Sequence, residues 1–346
     1  MSIIIHHPDQ IDFDKPGKAH YRLAFHLDSG WGSSLVPITV INGYRSGKTS
    51  MELPGLAAFG GTHGNEWEGQ VAVKRLCQEL DPAEVSGRVI LMPQLSESAC
   101  AANLRISPLD GVNMNRAFPG NARGTISYRI ADFVKRYVFP QVRIVVDMHA
   151  GGREGGFALC TSFHPVADLA QFAEITAVSA LFDTPFMLVY SSQMASGLLT
   201  DEAEAEGKIA IGGEFGFGEG VNRKGVLHGY EGIRNVLKFY DMLPGEIIKI
   251  DPSRPSTPRL VEARNLEDYI PCPRTGIWEP LLDLGDEVKQ GQLVGRSHDF
   301  SDHRAEPLKL RAHQSGVLIM MCAVANCQQG VTLYVIARDA KIAAAV

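Results

Sequence analysis

Residues 53–80 read LPGLAAFGGTHGNEWEGQVAVKRLCQEL, and three successive patterns within this stretch decide the fold class. The apolar run 53–59 is typical of a buried strand, and the glycines that follow it indicate a loop over residues 60–65. Apolar side chains then recur at helical spacing from Trp67 to Leu80. The stretch therefore predicts the strand, loop and helix that open an α/β unit.

The same alternation of strand and helix patterns continues along the chain. Strands are predicted at residues 21–27, 38–42, 88–92, 143–148, 186–190 and 208–213, and helices at 126–137, 168–182 and 230–240. The strand at 143–148 is almost wholly apolar, which is typical of a strand buried on both faces. The sequence thus predicts an α/β fold, a mixed sheet with helices on both faces.

A proline-rich segment, DPSRPSTP at residues 251–258, predicts a domain boundary. Residues 1–250 are expected to form the larger domain, including a leading β segment, and residues 259–346 a smaller β-barrel-like domain. The stretch LGDEVKQGQLV at 284–294 resembles half of a biotinyl or lipoyl carrier domain. Lys309 lacks the sequence setting of a carrier lysine, so a structural or gating role is expected for this domain.

Composition narrows the range of partners. The 346 residues are 45% hydrophobic and 21% charged, with a net charge of -6 and no basic patch, which argues against a nucleic-acid or anionic-membrane partner. No apolar run is long enough to span a bilayer, and the first residues lack the apolar core of a signal peptide. Six scattered cysteines indicate reduced thiols, so we expect a cytoplasmic protein.

The loop GGTHGNE at residues 60–66 places His63 and Glu66 three positions apart, directly after a buried strand. Loops at the carboxyl ends of strands are where α/β proteins build their sites. Catalytic zinc takes three protein ligands of the imidazole and carboxylate kind and keeps one position open. A metal site is therefore one interpretation of the pair, and a solvated histidine beside a helix-capping glutamate is the other.

A third ligand is available in VVDMHAGG at residues 145–152, where another apolar strand meets glycines. His149 is the candidate, although it could merely cap the sheet. Asp147, two residues earlier, could accept the second ring N–H of a metal-bound histidine.

Two further loops carry isolated charged side chains. Arg116 lies in NMNRAFPG at residues 113–120 and suits a substrate carboxylate, although it could be an ordinary surface arginine. Glu214 lies at a strand end among glycines, in IGGEFGFG at 211–218. Burial there would raise its pKa towards that of a general base.

Taken in order, the motifs GTHGNE, NMNRAFPG, VDMH and GGEFG resemble the succinylglutamate desuccinylase/aspartoacylase family, a branch of the zinc carboxypeptidase fold. The resemblance implies one zinc ion per chain on His63, Glu66 and His149. It also implies a substrate carboxylate held by Asn115 and Arg116.

In the same family Glu214 would act as the base that activates water, and Arg105 is the candidate for the arginine that polarises the scissile carbonyl.

Within the family, LRISPLDGVNMNRAFPG and EWEGQVA most resemble the Nα-acetyl-L-2,4-diaminobutyrate deacetylases of ectoine degradation. The implied substrate is an N-acetylated amino acid with a free α-carboxylate for Arg116, and N-acetyl-L-2,4-diaminobutyrate is the one expected. Another N-acyl amino acid deacylase, a zinc carboxypeptidase and a non-catalytic zinc-binding protein stay open as alternatives. The sequence also leaves the acyl group, the metal used in the cell and a homo-oligomeric state open.

Overall fold

The computed structural model describes residues 2–28, 30–45, 53–191, 193, 196–254 and 257–340. These residues form six α-helices: α1 (Trp67–Glu79), α2 (Glu97–Ala102), α3 (Ile126–Phe133), α4 (Leu169–Ala180), α5 (Leu199–Ala205) and α6 (Arg223–Phe239).

The strands of the first 250 residues are β1 (Ile3–Ile5), β2 (Gly17–His26), β3 (Ser33–Tyr44), β4 (Leu56–Gly60), β5 (Ser86–Met92), β6 (Ile144–His149), β7 (Gly155–Phe157), β8 (Cys160–Phe163), β9 (Phe186–Tyr190) and β10 (Ile209–Glu214). Those that follow are β11 (Arg259–Ala263), β12 (Tyr269–Pro271), β13 (Gly276–Pro280), β14 (Glu287–Val288), β15 (Leu293–His298), β16 (Leu308–Arg311), β17 (Gly316–Cys322), β18 (Asn326–Cys327) and β19 (Thr332–Asp339).

A large mixed sheet organises the molecule. Its strands run in the order β1-β2-β3-β5-β4-β6-β10-β8-β9-β11-β19-β17-β14, with β12 beside β19 and β7 beside β17. The four central neighbours β5, β4, β6 and β10 are mutually parallel, and the strands flanking them, β3 and β8, are antiparallel to their partners. The predicted mixed α/β sheet is confirmed.

The central strands are apolar along nearly their whole length because both of their faces are covered. Helices α1, α4 and α6 pack on one face, where Leu76, Ile175 and Ile233 belong to a single buried cluster. Helices α3 and α5 pack on the other face, where Phe133 and Leu199 belong to a second cluster. The apolar area buried between the helices and the sheet stabilises the fold, so the loops at the sheet edges are not needed for the core and can carry polar groups.

The C-terminal strands belong to two sheets. Strand β11 extends the large sheet by pairing in parallel with β9, and β19 and β17 continue it. A separate antiparallel sheet has the order β16-β15-β13-β18. The division into domains at residues 1–250 and 259–346 stays a prediction.

Two helices differ in length from their sequence patterns. Helix α6 begins at Arg223, seven residues before the predicted start, because the Asn222 side chain accepts the backbone N–H of Gly225 and caps the helix. Helix α3 keeps regular geometry only to Phe133 and continues as a wider π-type turn over Val134–Val138.

Among the described residues, no helix is both long and apolar enough to cross a membrane. The cytoplasmic location stays a prediction.

Candidate active site

The candidate site lies at one edge of the large sheet, where three neighbouring parallel strands end. Strands β6 and β10 pair in register so that His149 is directly opposite Glu214, and Gly60 at the end of β4 is opposite Met148. Parallel strands present their carboxyl ends to the same edge. Loops from three remote parts of the sequence are therefore brought together at this edge.

His63, Glu66 and His149 form a compact group of donor atoms. The Nδ1 atom of His63 lies 2.7 Å from Oε1 of Glu66, and Nδ1 of His149 lies 2.9 Å from Oε2 of the same carboxylate. One ligand atom from each residue falls within 4.8 Å of the others. The Glu66 side chain is 2% exposed, so almost no bulk water reaches this group.

The remaining ring nitrogens of both histidines already have partners. Nε2 of His149 lies 2.8 Å from Oδ2 of Asp147, whose other oxygen accepts the Thr62 hydroxyl at 2.6 Å. Nε2 of His63 lies 3.0 Å from Oδ1 of Asn113. Holding the outer nitrogen fixes the tautomer and orientation of each ring, so the two Nδ1 atoms are left to face the common centre.

Backbone geometry explains how the loop after β4 reaches this arrangement. Gly61 has a φ of +65°, a backbone conformation that residues other than glycine rarely adopt. A Cβ atom on Gly64 would lie 2.0 Å from the backbone of Ala99, so only glycine fits there as well. Glu66 occupies the position before α1, yet its side chain makes no capping hydrogen bond. The helix-capping interpretation of Glu66 is therefore wrong, because its carboxylate is turned towards the two imidazoles.

Glu214 is enclosed beside this group. Its Oε2 atom is buried and has no hydrogen-bond partner among the described residues. Burial, followed by the negative charge of Glu66, raises the pKa of Glu214 to about 8, against the opposing charges of His149 and Arg105. Burial also acts to raise the pKa of Glu66, but the charges and hydrogen bonds of the two histidines outweigh it and lower that pKa. The two carboxyl groups are thus tuned in opposite directions, which is typical of acid–base sites.

Two arginines and an asparagine lie beside the histidines and glutamates, and together they form the polar lining that we call the near wall. Arg105 is 40% exposed and donates to Oε1 of Glu66 at 2.8 Å. Arg116 uses one nitrogen on its neighbour, the backbone oxygen of Asn115, at 2.6 Å, and burial and the charge of Arg105 lower the Arg116 pKa. The Asn115 side chain accepts the N–H of Leu199 and lies 3.3 Å from Nε2 of His149. The structure therefore brings all seven predicted site residues to one place.

A cavity of about 590 Å³ opens above these residues. The C-terminal strands and their loops also line it, and we call this part the C-terminal wall; it is mostly apolar, with Ile319, Met320, Cys322, Val331 and Val335, and includes the polar Asn326, Gln328 and Thr332. A cavity of this size holds a small molecule. The mostly apolar C-terminal wall would exclude water from a molecule bound against the polar near wall.

Sequence reasoning missed several cavity residues. Tyr190 ends β9 and Thr200 lies in α5, and Glu154 follows His149 by five positions. Only the position of Tyr190, at the end of a predicted strand, could have signalled its place.

A second group of titratable side chains lies close by. Nδ1 of His164 is 2.8 Å from Glu204 and 3.2 Å from Asp201, and its ring is in contact with that of Tyr190. None of these three lines the cavity. The group therefore supports the wall that carries Tyr190 from behind.

Comparison with known proteins gives consistent matches. Residues 52–240 match the model of the succinylglutamate desuccinylase/aspartoacylase catalytic domain. The N-alpha-acetyl-L-2,4-diaminobutyric acid deacetylase of Halomonas elongata is 31% identical over 331 residues, which covers 94% of this chain and 93% of that protein.

Solved structures match over nearly the whole length. A succinylglutamate desuccinylase/aspartoacylase from Rhodobacter sphaeroides has a TM-score of 0.89 at 33% identity, covering 96% of this chain and 98% of that one. The product-bound ectoine utilization protein EutE (DoeB) from Ruegeria pomeroyi has a TM-score of 0.87 at 28% identity, covering 95% and 97%.

Proposed function

We propose that this chain, which belongs to the succinylglutamate desuccinylase/aspartoacylase family, is a zinc-dependent deacylase that hydrolyses the amide bond of an N-acyl amino acid. The observation that carries the proposal is the buried group of His63, Glu66 and His149 beside a carboxylate oxygen of Glu214 that has no partner among the described residues. Two imidazoles, one carboxylate and an adjacent base are the parts that a metal-dependent hydrolase needs.

The residues present suit one zinc ion per chain. Two nitrogen donors and one oxygen donor match the preference of zinc, and three protein ligands leave one position open. The outer ring N–H groups of His149 and His63 donate to Asp147 and Asn113, at 2.8 and 3.0 Å, as those of zinc-binding histidines generally do. A zinc ion held there would supply Lewis acidity, which lowers the pKa of a bound water molecule towards neutrality.

Glu214 is the proton carrier in this proposal. Its buried carboxylate takes a proton from the attacking water while the water oxygen bonds to the acyl carbon. The same proton then passes to the amide nitrogen as the C–N bond breaks, so that a carboxylic acid and a free amine are released. Burial raises the pKa of Glu214 in the metal-free site, and the positive charge of a bound zinc ion would lower it again, towards the range of a carboxylate that accepts and returns a proton near neutrality.

Arg105 and Arg116 have different tasks. The half-exposed guanidinium of Arg105, anchored on Glu66, faces the cavity and stabilises the negative charge that develops on the carbonyl oxygen. Beyond the N–H that Arg116 donates to Asn115, its other N–H donors have no partner among the described residues, and with the Asn115 amide they bind the substrate carboxylate. A positioned carboxylate fixes the scissile amide relative to Glu214.

The substrate we propose is N-acetyl-L-2,4-diaminobutyrate, an intermediate of ectoine degradation. Its support is the 31% identity over almost the whole chain to the Halomonas elongata deacetylase, together with the fold shared with the Ruegeria pomeroyi ectoine utilization protein.

A panel of N-acetyl, N-succinyl and N-formyl amino acids, assayed with metal analysis, tests this proposal. We expect about one zinc per chain, hydrolysis of N-acetyl-L-2,4-diaminobutyrate, loss of turnover with a chelator and recovery with added zinc. Pure, zinc-loaded protein that leaves every acyl amino acid intact would contradict it. Cleavage of short peptides instead would favour a carboxypeptidase.

A further inference from the structure

The cavity has too few cationic side chains to pair with both negative charges of a substrate that carries two carboxylates. Among the described lining residues there are two guanidinium groups, Arg105 and Arg116, and three carboxylates, Glu66, Glu154 and Glu214. No lysine belongs to this set. Arg105 is paired with Glu66 at 2.8 Å and is assigned to the scissile carbonyl oxygen, so Arg116 is the guanidinium left for a carboxylate of the substrate.

One anchoring guanidinium suits a substrate with one carboxylate. Apart from Arg116 and the proposed zinc ion, a second carboxylate, as in an acylated glutamate or aspartate, would meet no further cation in the described lining, and it would be repelled by Glu154. The charges of the cavity therefore favour a side chain that is neutral or cationic.

Glu154 is the lining carboxylate that the proposed hydrolysis does not use. Its side chain has no hydrogen-bond or ion-pair partner in the part of the chain that the structure describes, and the residue is exposed. Glu66 is by contrast buried, and Glu214 is half-buried with its Oε2 atom enclosed. Glu154 thus offers an unneutralised negative charge to whatever enters the cavity.

The backbone that carries Glu154 is held at both ends. Its carbonyl oxygen accepts the N–H of Ala323 at 2.9 Å, and the next residues, Gly155–Phe157, pair with β17. Gly151 before it donates to the carbonyl of Gly216, in the loop that follows Glu214. An anchored backbone places the carboxylate in a defined region of the cavity, as selective recognition requires.

We propose that Glu154 binds a side-chain ammonium group of the substrate and makes the enzyme selective for N-acyl diamino acids. This inference rests on the proposed function and adds a determinant of specificity to it. The substrate carboxylate pairs with Arg116 and the ammonium group with Glu154, so the two charges of a zwitterionic molecule fix its orientation around the scissile amide.

The test compares two substrates of nearly equal shape. N-acetylnorvaline carries a methyl group where N-acetyl-L-2,4-diaminobutyrate carries an ammonium group. We expect Glu154→Gln to reduce the preference for the diamino compound, measured as the ratio of the two kcat/KM values, roughly 2- to 5-fold, mostly through KM, because an exposed ion pair contributes modestly. Glu154→Asp, which keeps the charge, should retain most of the preference.

Glu219→Gln is the matched control, because Glu219 is another exposed glutamate on a nearby loop but does not line the cavity. Its preference ratio should equal that of the unaltered chain. An equal ratio in Glu154→Gln and the unaltered chain would overturn the inference, with melting temperatures checked to confirm that both are folded.

A binding measurement separates this inference from the proposed function. Calorimetry in the Glu214→Gln background gives the Kd of both acetylated compounds without turnover. If the unaltered chain hydrolyses neither compound but binds the diamino compound selectively through Glu154, the inference is supported and the proposed hydrolytic function is wrong. If both compounds are hydrolysed and neither rate depends on Glu154, the proposed function is supported and the inference is wrong. The inference is also wrong if the unaltered chain does not bind the diamino compound selectively.

Discussion

Replacing Asp147 should weaken zinc binding in graded steps. Asp147 is fully buried and accepts two hydrogen bonds, one from Thr62 at 2.6 Å and one from His149 at 2.8 Å. In Asp147→Asn the amide can keep both contacts, with its oxygen towards the imidazole and its NH₂ towards the Thr62 hydroxyl. What is lost is the negative charge, and a charged hydrogen bond is roughly twice as strong as a neutral one.

That difference amounts to about 1–1.5 kcal/mol, so we expect the zinc Kd of Asp147→Asn to rise roughly 10-fold. Asp147→Ala removes both contacts and leaves the outer nitrogen of His149 without its partner. Its Kd should rise about 100-fold, the upper end of what such partners contribute. Competition against a fluorescent zinc chelator, starting from metal-free protein, measures both values.

Asp268→Asn provides the control for a general loss of stability. Asp268 is also buried and accepts hydrogen bonds, from Asn265 and Gln314, but it does not line the cavity. This variant should melt at a lower temperature and keep its zinc Kd. Zinc binding by Asp147→Ala that is as tight as in the unaltered chain would refute the role assigned to Asp147.

Three other expectations follow from the site and the fold. Glu214→Gln should keep its zinc and its fold but lose turnover by about 10²–10⁴-fold, as metal analysis and single-turnover rates will tell; undiminished rates would exclude it as the base. Arg116→Lys should raise KM about 10-fold with little change in kcat, because an ammonium group cannot make the paired contacts of a guanidinium; an unchanged KM would move the carboxylate site elsewhere. Hydrogen bonds from Arg143 and Tyr240 lower the pKa of Glu174, so this carboxylate stabilises the fold above its ordinary pKa and loses that contribution as the pH falls through the lowered value. Urea titrations between about pH 6 and pH 3 should therefore show a smaller loss of stability in Glu174→Gln than in the unaltered chain, and parallel losses would contradict the assignment.

Much of the fold was predictable because its central strands are apolar along nearly their whole length. A strand such as Ile144–His149 is buried on both faces, so its pattern does not depend on which neighbour it finds. The convergence of His63, His149 and Glu214 follows from the same property, since their strands are parallel and end at one edge.

The rest of the cavity depends on contacts between segments remote in sequence. The strand Gly155–Phe157 has only three residues, too few for a periodicity, and it forms only because Met320–Cys322 lies beside it. Glu154 precedes that strand and therefore had no signal of its own. The fate of the Glu66 side chain likewise depended on His149, 83 positions further along the chain.

The pairing of Gly155–Phe157 with β17 also bears on how the protein is made. A ribosome synthesises the three proposed zinc ligands, of which His149 is the last along the chain, well before it reaches β17. A nascent chain would therefore carry all three proposed zinc ligands while the cavity still lacks the side that β17 contributes. The cavity can be completed only after β17 has been synthesised, so a chain truncated before β17 should lack this side of the cavity and should be inactive.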